Sequence, residues 1–350
     1  MNSSGKVLIL GASGGIGGEV ARRLAADNWQ VRALKRGVQL RAPEEGMQWI
    51  AGDALDAGQV AAAAAGCDVI VHAVNPPGYR HWRQQVLPML RNTLQAAAQQ
   101  RALVVLPGTV YNYGPDAFPL IDEAAVQRPV TRKGAIRVEM EQALEDYVQR
   151  GGRALIVRAG DYFGPRAGNN WFSQGLVKPG QLPRTISLPG AIGVGHQWAW
   201  LPDVAATIAA LLARRHELEP FARFHMQGHW DPDGSEMSQA IQRVVALYGG
   251  RAVVKSFPWW LVKLAAPFNA TLREMVEMHY LWRLPVRLRN DKLVAVLGAE
   301  PHTPLDRAVH LTLQGLGCLP AGAINHEARE VSRVGRYCDQ IIITSLVVKR

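Results

Sequence analysis

Val7-Leu8-Ile9-Leu10-Gly11-Ala12-Ser13-Gly14-Gly15-Ile16-Gly17-Gly18-Glu19-Val20-Ala21-Arg22-Arg23-Leu24 is the stretch on which the reading of this chain turns. Four apolar residues in succession have the character of a strand buried on both faces of a parallel sheet. The glycines behind them make a tight turn, and the residues that follow bring apolar side chains back at helical spacing. Gly11, Gly14 and Gly17 leave the backbone bare where a pyrophosphate would meet the helix N-terminus, whose free N–H groups and dipole favour negative charge. Ser13, Gly15 and Ile16 belong to the same turn. A strand in front and a helix behind distinguish such a cradle from an ordinary glycine turn.

At 350 residues the chain can bury a full core, with room for one large domain and a smaller appended one. Its apolar share of 48% beside 19% charged residues is ordinary globular composition. The net charge of +10 raises a nucleic-acid reading, but the arginines are scattered, with no basic tract interleaved with aromatics. An anionic cofactor or substrate is the better use of that charge, and no nucleic-acid partner is expected. Cys67, Cys318 and Cys338 form no CxxC pair, so neither a disulfide framework nor a metal site is expected. Met1 to Lys6 lacks an apolar signal region and no run approaches the roughly 20 apolar residues of a membrane span. The expectation is a cytoplasmic protein without membrane association.

Beyond the first helix, Trp29 to Leu34 reads as a second strand and ends in Lys35-Arg36-Gly37. An NAD site places a carboxylate near here to hold the ribose 2′-hydroxyl. Two cations stand there instead, so Lys35 and Arg36 favour the 2′-phosphate of NADP over NAD, with Arg32 a weaker candidate. Met47 to Ala54, Cys67 to Val74, Ala102 to Leu106 and Arg153 to Arg158 read as further strands, and 56–65 and 82–100 as helices. Phe224 to Gly228 reads as the last strand. The alternation predicts an α/β fold, a Rossmann-type doubly wound parallel sheet with a smaller C-terminal substrate domain. Residues 1–165, completed by 196–228, make the dinucleotide-binding core; 166–195 and 229–318 make the smaller part. Residues 319–350, with the strand-like run Ile341 to Val348, have no place in that plan.

The glycine motif, Gly52-Asp53, Cys67-Asp68-Val69-Ile70-Val71-His72-Ala73-Val74 and Arg158-Ala159-Gly160-Asp161-Tyr162-Phe163-Gly164-Pro165 occur in that order. Together they resemble the extended or atypical short-chain dehydrogenase/reductase superfamily, the group of nucleotide-sugar epimerases and dehydratases. The resemblance implies that Asp53 and Ala54 touch the adenine and that Ala73 and Val74 line the cofactor groove. Family members carry a Ser or Thr before a Tyr-Gly pair, then a Tyr-Gly-x-x-Lys-x-x-x-Glu helix. Thr109, ahead of Tyr113-Gly114, takes the hydroxyl position. The helix departs from the pattern: registered on Gly134 and Glu141, Lys133 stands for the tyrosine and Arg137 for the lysine. Registered on Glu139, Thr131 and Ala135 would stand there; the first register keeps the glycine.

Lys133 and Arg137 are four apart and share a helix face. With Arg132 they crowd a helix start whose dipole disfavours cations, a broken local rule of the kind found at functional sites. The expected roles are Arg137 on the nicotinamide ribose, Lys133 moving a proton at a pKa lowered by its neighbours, and Thr109 bonding a substrate oxygen. Tyr111, Asp161, Tyr162, Trp171 and His196 are candidate substrate contacts; Asp161 and Tyr162 follow a strand's C-terminal end, where open α/β sheets place ligands. Trp259, Trp260, Met275, Met278, Tyr280 and Trp282 suggest an apolar wall over the site. The function so implied is an NAD(P)-dependent oxidoreductase or epimerase/dehydratase-like enzyme. Its substrate would be a small-molecule carbonyl or secondary alcohol, either a nucleotide sugar or a hydrophobic compound. The altered helix leaves a second reading open, a non-catalytic NADP(H) sensor. A homodimer is a candidate assembly.

Overall fold

The computed structural model describes residues 4–37, 46–76, 82–168 and 170–320. The opening stretch forms β1 (Lys6–Leu10) and α1 (Gly15–Ala26), followed by β2 (Gln30–Lys35), β3 (Met47–Ala51), α2 (Ala57–Ala64), β4 (Val69–His72), α3 (Trp82–Gln100) and β5 (Leu103–Gly108). A short β6 (Leu120–Ile121) precedes α4 (Arg132–Gln149) and β7 (Arg153–Arg158). Then come β8 (Asp161–Phe163), β9 (Thr185–Leu188), β10 (His196–Trp200), α5 (Leu201–Ala213), β11 (Phe221–His225) and β12 (His229–Asp231). The rest is α6 (Glu236–Ala246), β13 (Val253–Ser256), α7 (Trp259–Ala265), α8 (Ala270–Glu277), β14 (Arg287–Leu288), α9 (Asp291–Leu297) and α10 (Leu305–Gly315).

Seven strands make one parallel sheet in the order β11-β7-β5-β4-β1-β2-β3. Strand periodicity decides which helices cover which face, because successive side chains point to opposite sides. Val7, Ile9, Val69, Val71, Leu155 and Val157 pack with α1, α5 and Leu293 of α9. Leu8, Leu10, Ile70, Val104 and Ile156 pack with α2, α3 and α4. The sheet is therefore doubly wound, as the alternation of elements predicted. Truncating one such residue, Leu8→Ala for instance, costs about 2–5 kcal/mol because the cavity closes only partly.

Sequence alone did not anticipate how the chain interleaves beyond β7. β10 joins β8 and β12 in a separate three-stranded sheet, and α9 returns to the large sheet's core from within the segment assigned to the smaller part. A third core collects Phe163, Phe172, Trp198, Met237, Ile241, Val309 and Leu313. Of the expected wall, Trp259 and Trp282 pack on Trp171, and Tyr280 stacks on Phe118, whereas Trp260 is 68% exposed and faces away. The run Ile341 to Val348 lies outside the described residues.

Candidate active site

The strand order reverses at β1, which pairs with β2 on one side and β4 on the other. Open α/β sheets bind ligands outside the strand ends at such a point, and there the chain encloses a cavity of about 830 Å³. One half is the glycine turn. Gly11 has φ +92°, and a Cβ there would lie 2.5 Å from the Ala73 carbonyl oxygen; one on Gly17 would lie 2.3 Å from the Gly11 carbonyl oxygen. Neither position admits a side chain. The Gly14 N–H donates to the Gly11 carbonyl at 2.9 Å, and Gly14 caps α1, whose first turn carries no acidic residue. Gly11, Ser13, Gly14, Gly15 and Ile16 line the cavity, and Gly17 lies beneath it as the contact that seats the helix on the strand. This glycine-rich turn at the N-terminus of α1 fits a dinucleotide pyrophosphate.

Asp53, Ala54, Ala73 and Val74 line the same half, as do Lys35 and Arg36 at the end of β2. Arg36 lies 3.9 Å from the Asp53 carboxylate, and Lys35 sits 5.5 Å from the centre of the Trp49 ring. Arg32 is a correction. Its guanidinium donates to the carbonyls of Ala63 and Ala65 at 3.0 and 2.8 Å, which satisfies the C-terminal end of α2, and it does not line the cavity.

The other half assembles around α4. Thr131 caps this helix by accepting the Gly134 N–H, and a Cβ on Gly134 would collide with the Tyr111 carbonyl. Lys133 and Arg137 point into the cavity while Ala135 is exposed. One turn further on, the buried Glu141 accepts both oxygens' worth of bonds from the Arg158 guanidinium, at 2.7 and 2.9 Å. Asn112 and Gln127 complete that carboxylate's shell, and Arg158 also donates to the Thr109 carbonyl. The register on Gly134 and Glu141 is thus the one that faces inward; Glu139 meets Arg83 at the surface. The same network pins the Thr109 backbone, whose Oγ1 is buried at the cavity wall with no hydrogen-bond partner among the described residues.

The cations that crowd the start of α4 are balanced from far along the chain. Glu274 of α8 lies 3.4 Å from Lys133 Nζ, and Arg132 reaches Glu277 at 2.9 Å. Burial lowers the Lys133 pKa and Arg137 adds to that, while Glu274 pulls against it. Tyr111, Asp161, Tyr162 and Trp171 line the cavity. Tyr162 donates to the Gly108 carbonyl at 3.1 Å, and burial pushes its pKa up to about 12, so it remains a phenol. His196 does not line the cavity. It stands behind Asp161, its Nε2 2.9 Å from Oδ2, and stacks on Trp282 at 3.8 Å. Its reach is to Asp161 rather than to a ligand.

Glu274 and His72 are among the wall residues that the sequence does not announce. Glu274 gave no signal, because its partner is a helix start far earlier in the chain. His72, at the end of β4, lines the cavity. The Thr93 hydroxyl donates to the Met89 carbonyl, so His72 Nδ1–H is the donor to Thr93 Oγ1 at 2.8 Å. Burial, then Arg137, lower its pKa to about 3 and keep the ring neutral.

Comparison with known proteins agrees with this architecture. The model of the NAD dependent epimerase/dehydratase family matches residues 7–224. A candidate epimerase from Burkholderia cenocepacia J2315 superposes with a TM-score of 0.69 at 20% identity, covering 91% of this chain and 99% of that one. UDP-glucuronic acid 4-epimerase from Bacillus cereus, solved with UDP-glucuronic acid and NAD, gives 0.67 at 14% identity over 89% and 98%. dTDP-glucose 4,6-dehydratase from Streptomyces venezuelae, solved with NAD, gives 0.66 at 18% over 89% and 96%. At these identities the likeness speaks for the fold. A search of curated proteins found no match.

Proposed function

The chain belongs to the NAD dependent epimerase/dehydratase family, and from that premise we propose that it is a pyridine-nucleotide enzyme exchanging hydride with a carbonyl or secondary alcohol. The observation that carries this reading is the convergence of Thr109, Lys133 and Arg137 on the cavity that the glycine turn opens. The turn and the first N–H groups of α1 would hold the pyrophosphate, and Ala73 and Val74 the groove beside it. When bound, the nicotinamide supplies the hydride acceptor or donor. Lys133, buried and beside Arg137, would give or take the proton at the substrate oxygen. The Thr109 hydroxyl, which has no hydrogen-bond partner among the described residues, would bond the same oxygen. Arg137 would hold the nicotinamide ribose.

Lys35 and Arg36 close β2 with no acidic residue beside them in sequence and favour the 2′-phosphate of NADP, although the Asp53 carboxylate lies 3.9 Å from Arg36. The UDP-glucuronic acid 4-epimerase and the dTDP-glucose 4,6-dehydratase were solved with NAD, which supports NAD as the alternative coenzyme. Met89, Trp171, Met275 and Met278 give the substrate end an apolar wall that suits a hydrophobic carbonyl compound. The kinship with sugar-nucleotide enzymes supports a nucleotide sugar. One observation favours the second reading, a dinucleotide sensor: the ion pair with Glu274 occupies the group that would move the proton.

Turnover separates the two. Purified protein with NADPH or NADH and a panel of carbonyls and nucleotide sugars is followed at the nicotinamide absorbance band. The expected result is oxidation with at least one member. Tight coenzyme binding without oxidation across the panel supports the sensor, and no binding of either coenzyme ends both readings.

A further inference from the structure

Asp203 in the first turn of α5, His229 at the start of β12 and His302 in the segment before α10 come together away from the cavity, none of them lining it. One carboxylate oxygen and one imidazole nitrogen from each histidine all lie within 4.8 Å of one another. We propose that this triad binds one divalent transition-metal ion, zinc by its donor set, with a remaining position open to solvent beside the exposed His302.

His229 is the strongest argument. The residue is only 7% exposed, and its Nε2 has no hydrogen-bond partner among the described residues. Its ring is fixed by an edge contact to Phe163 at 5.8 Å and lies 4.6 Å from the His302 ring. A buried nitrogen left unbonded is costly, and a metal ion would satisfy it. The Asp203 carboxylate is already oriented, since Thr303 donates to it from N–H at 2.7 Å and from Oγ1 at 2.8 Å. Each oxygen keeps a further lone pair, and such outer hydrogen bonds are what hold metal-binding carboxylates in place.

Two imidazoles and one carboxylate suit zinc, at ligand distances of about 2.0–2.2 Å in a tetrahedron. That geometry sets ligand atoms about 3.4 Å apart, so ligand atoms that lie within 4.8 Å of one another would draw closer on binding. The ion would clasp the segment leading into α10 to α5 and β12. Cysteine spacing gave no hint of such a site, because no cysteine takes part and the three residues are scattered along the chain.

The test uses full-length, tag-free protein stripped with EDTA and titrated with Zn²⁺ by calorimetry, with Co²⁺ as a spectroscopic probe of tetrahedral coordination. One ion per chain is expected. His302→Ala, at an exposed position that leaves the core untouched, and His229→Ala should each weaken binding by at least about tenfold. His216→Ala, beyond the far end of α5, should bind as the parent does. Absence of saturable 1:1 binding, or binding weakened less than tenfold by His302→Ala, overturns the proposal.

Discussion

Lys133 combines three circumstances: it is 7% exposed, it sits in the first turn of a helix whose dipole opposes its charge, and it faces the cavity. Lys133→Met keeps the length and apolar stem and removes the nitrogen. If Lys133 moves the proton, kcat should fall by about 10²–10⁴-fold with coenzyme affinity little changed. Undiminished turnover would take Lys133 out of the chemistry. Arg36 is the cleaner test of coenzyme choice, because its contact with Asp53 is long and exposed and holds little of the structure together. Arg36→Asp should weaken NADPH and strengthen NADH binding, so that their affinity ratio shifts toward NADH. An unmoved ratio in paired titrations would mean that the end of β2 does not read the 2′-position.

Between α4, β5 and β7 the stabilising joint is the buried pair of Glu141 and Arg158, which also pins the Thr109 carbonyl. Glu141→Gln leaves the guanidinium uncompensated, and breaking a buried pair from one side costs about 3–5 kcal/mol. The surface pair of Arg83 and Glu139 is the control, because Glu139→Gln should change stability by no more than about 1 kcal/mol. Urea midpoints for the two variants decide it; equal shifts would refute the register. This helix also marks how far sequence carries. The long apolar runs of β1, β4, β5 and β7 declare a buried parallel sheet, and Gly134 with Glu141 fixed the inward face of α4. Nothing local announces β6 or β14, each two residues long, or the docking of Glu274 and Glu277 on the cations of α4. Those features arise from contacts between distant segments, and His196 was misread for the same reason, its partner being Asp161 rather than a ligand.

Across the whole molecule the sheet buries imidazoles that must stay neutral, which gives the fold an acid limit. His72 at the end of β4 is pushed down to about pKa 3, chiefly by burial and then by Arg137; burial, then Arg158, also holds His225 at the end of β11 well below the ordinary value. In the unfolded chain each takes up a proton near pH 6.5. Between that pH and the folded pKa the unfolded state binds more protons, so unfolding free energy rises with pH. The contribution is complete above about pH 6.5 and is lost as the solution is acidified toward pH 3. At pH 5 His72 alone accounts for a loss of about 2 kcal/mol, and His225 acts in the same direction. Urea midpoints should therefore fall between pH 7.5 and pH 5, and fall less in His72→Asn, whose side chain can still bond Thr93 but does not titrate. A midpoint level over that range, or a fall that His72→Asn leaves unchanged, would show that the burial of His72 does not set the acid limit.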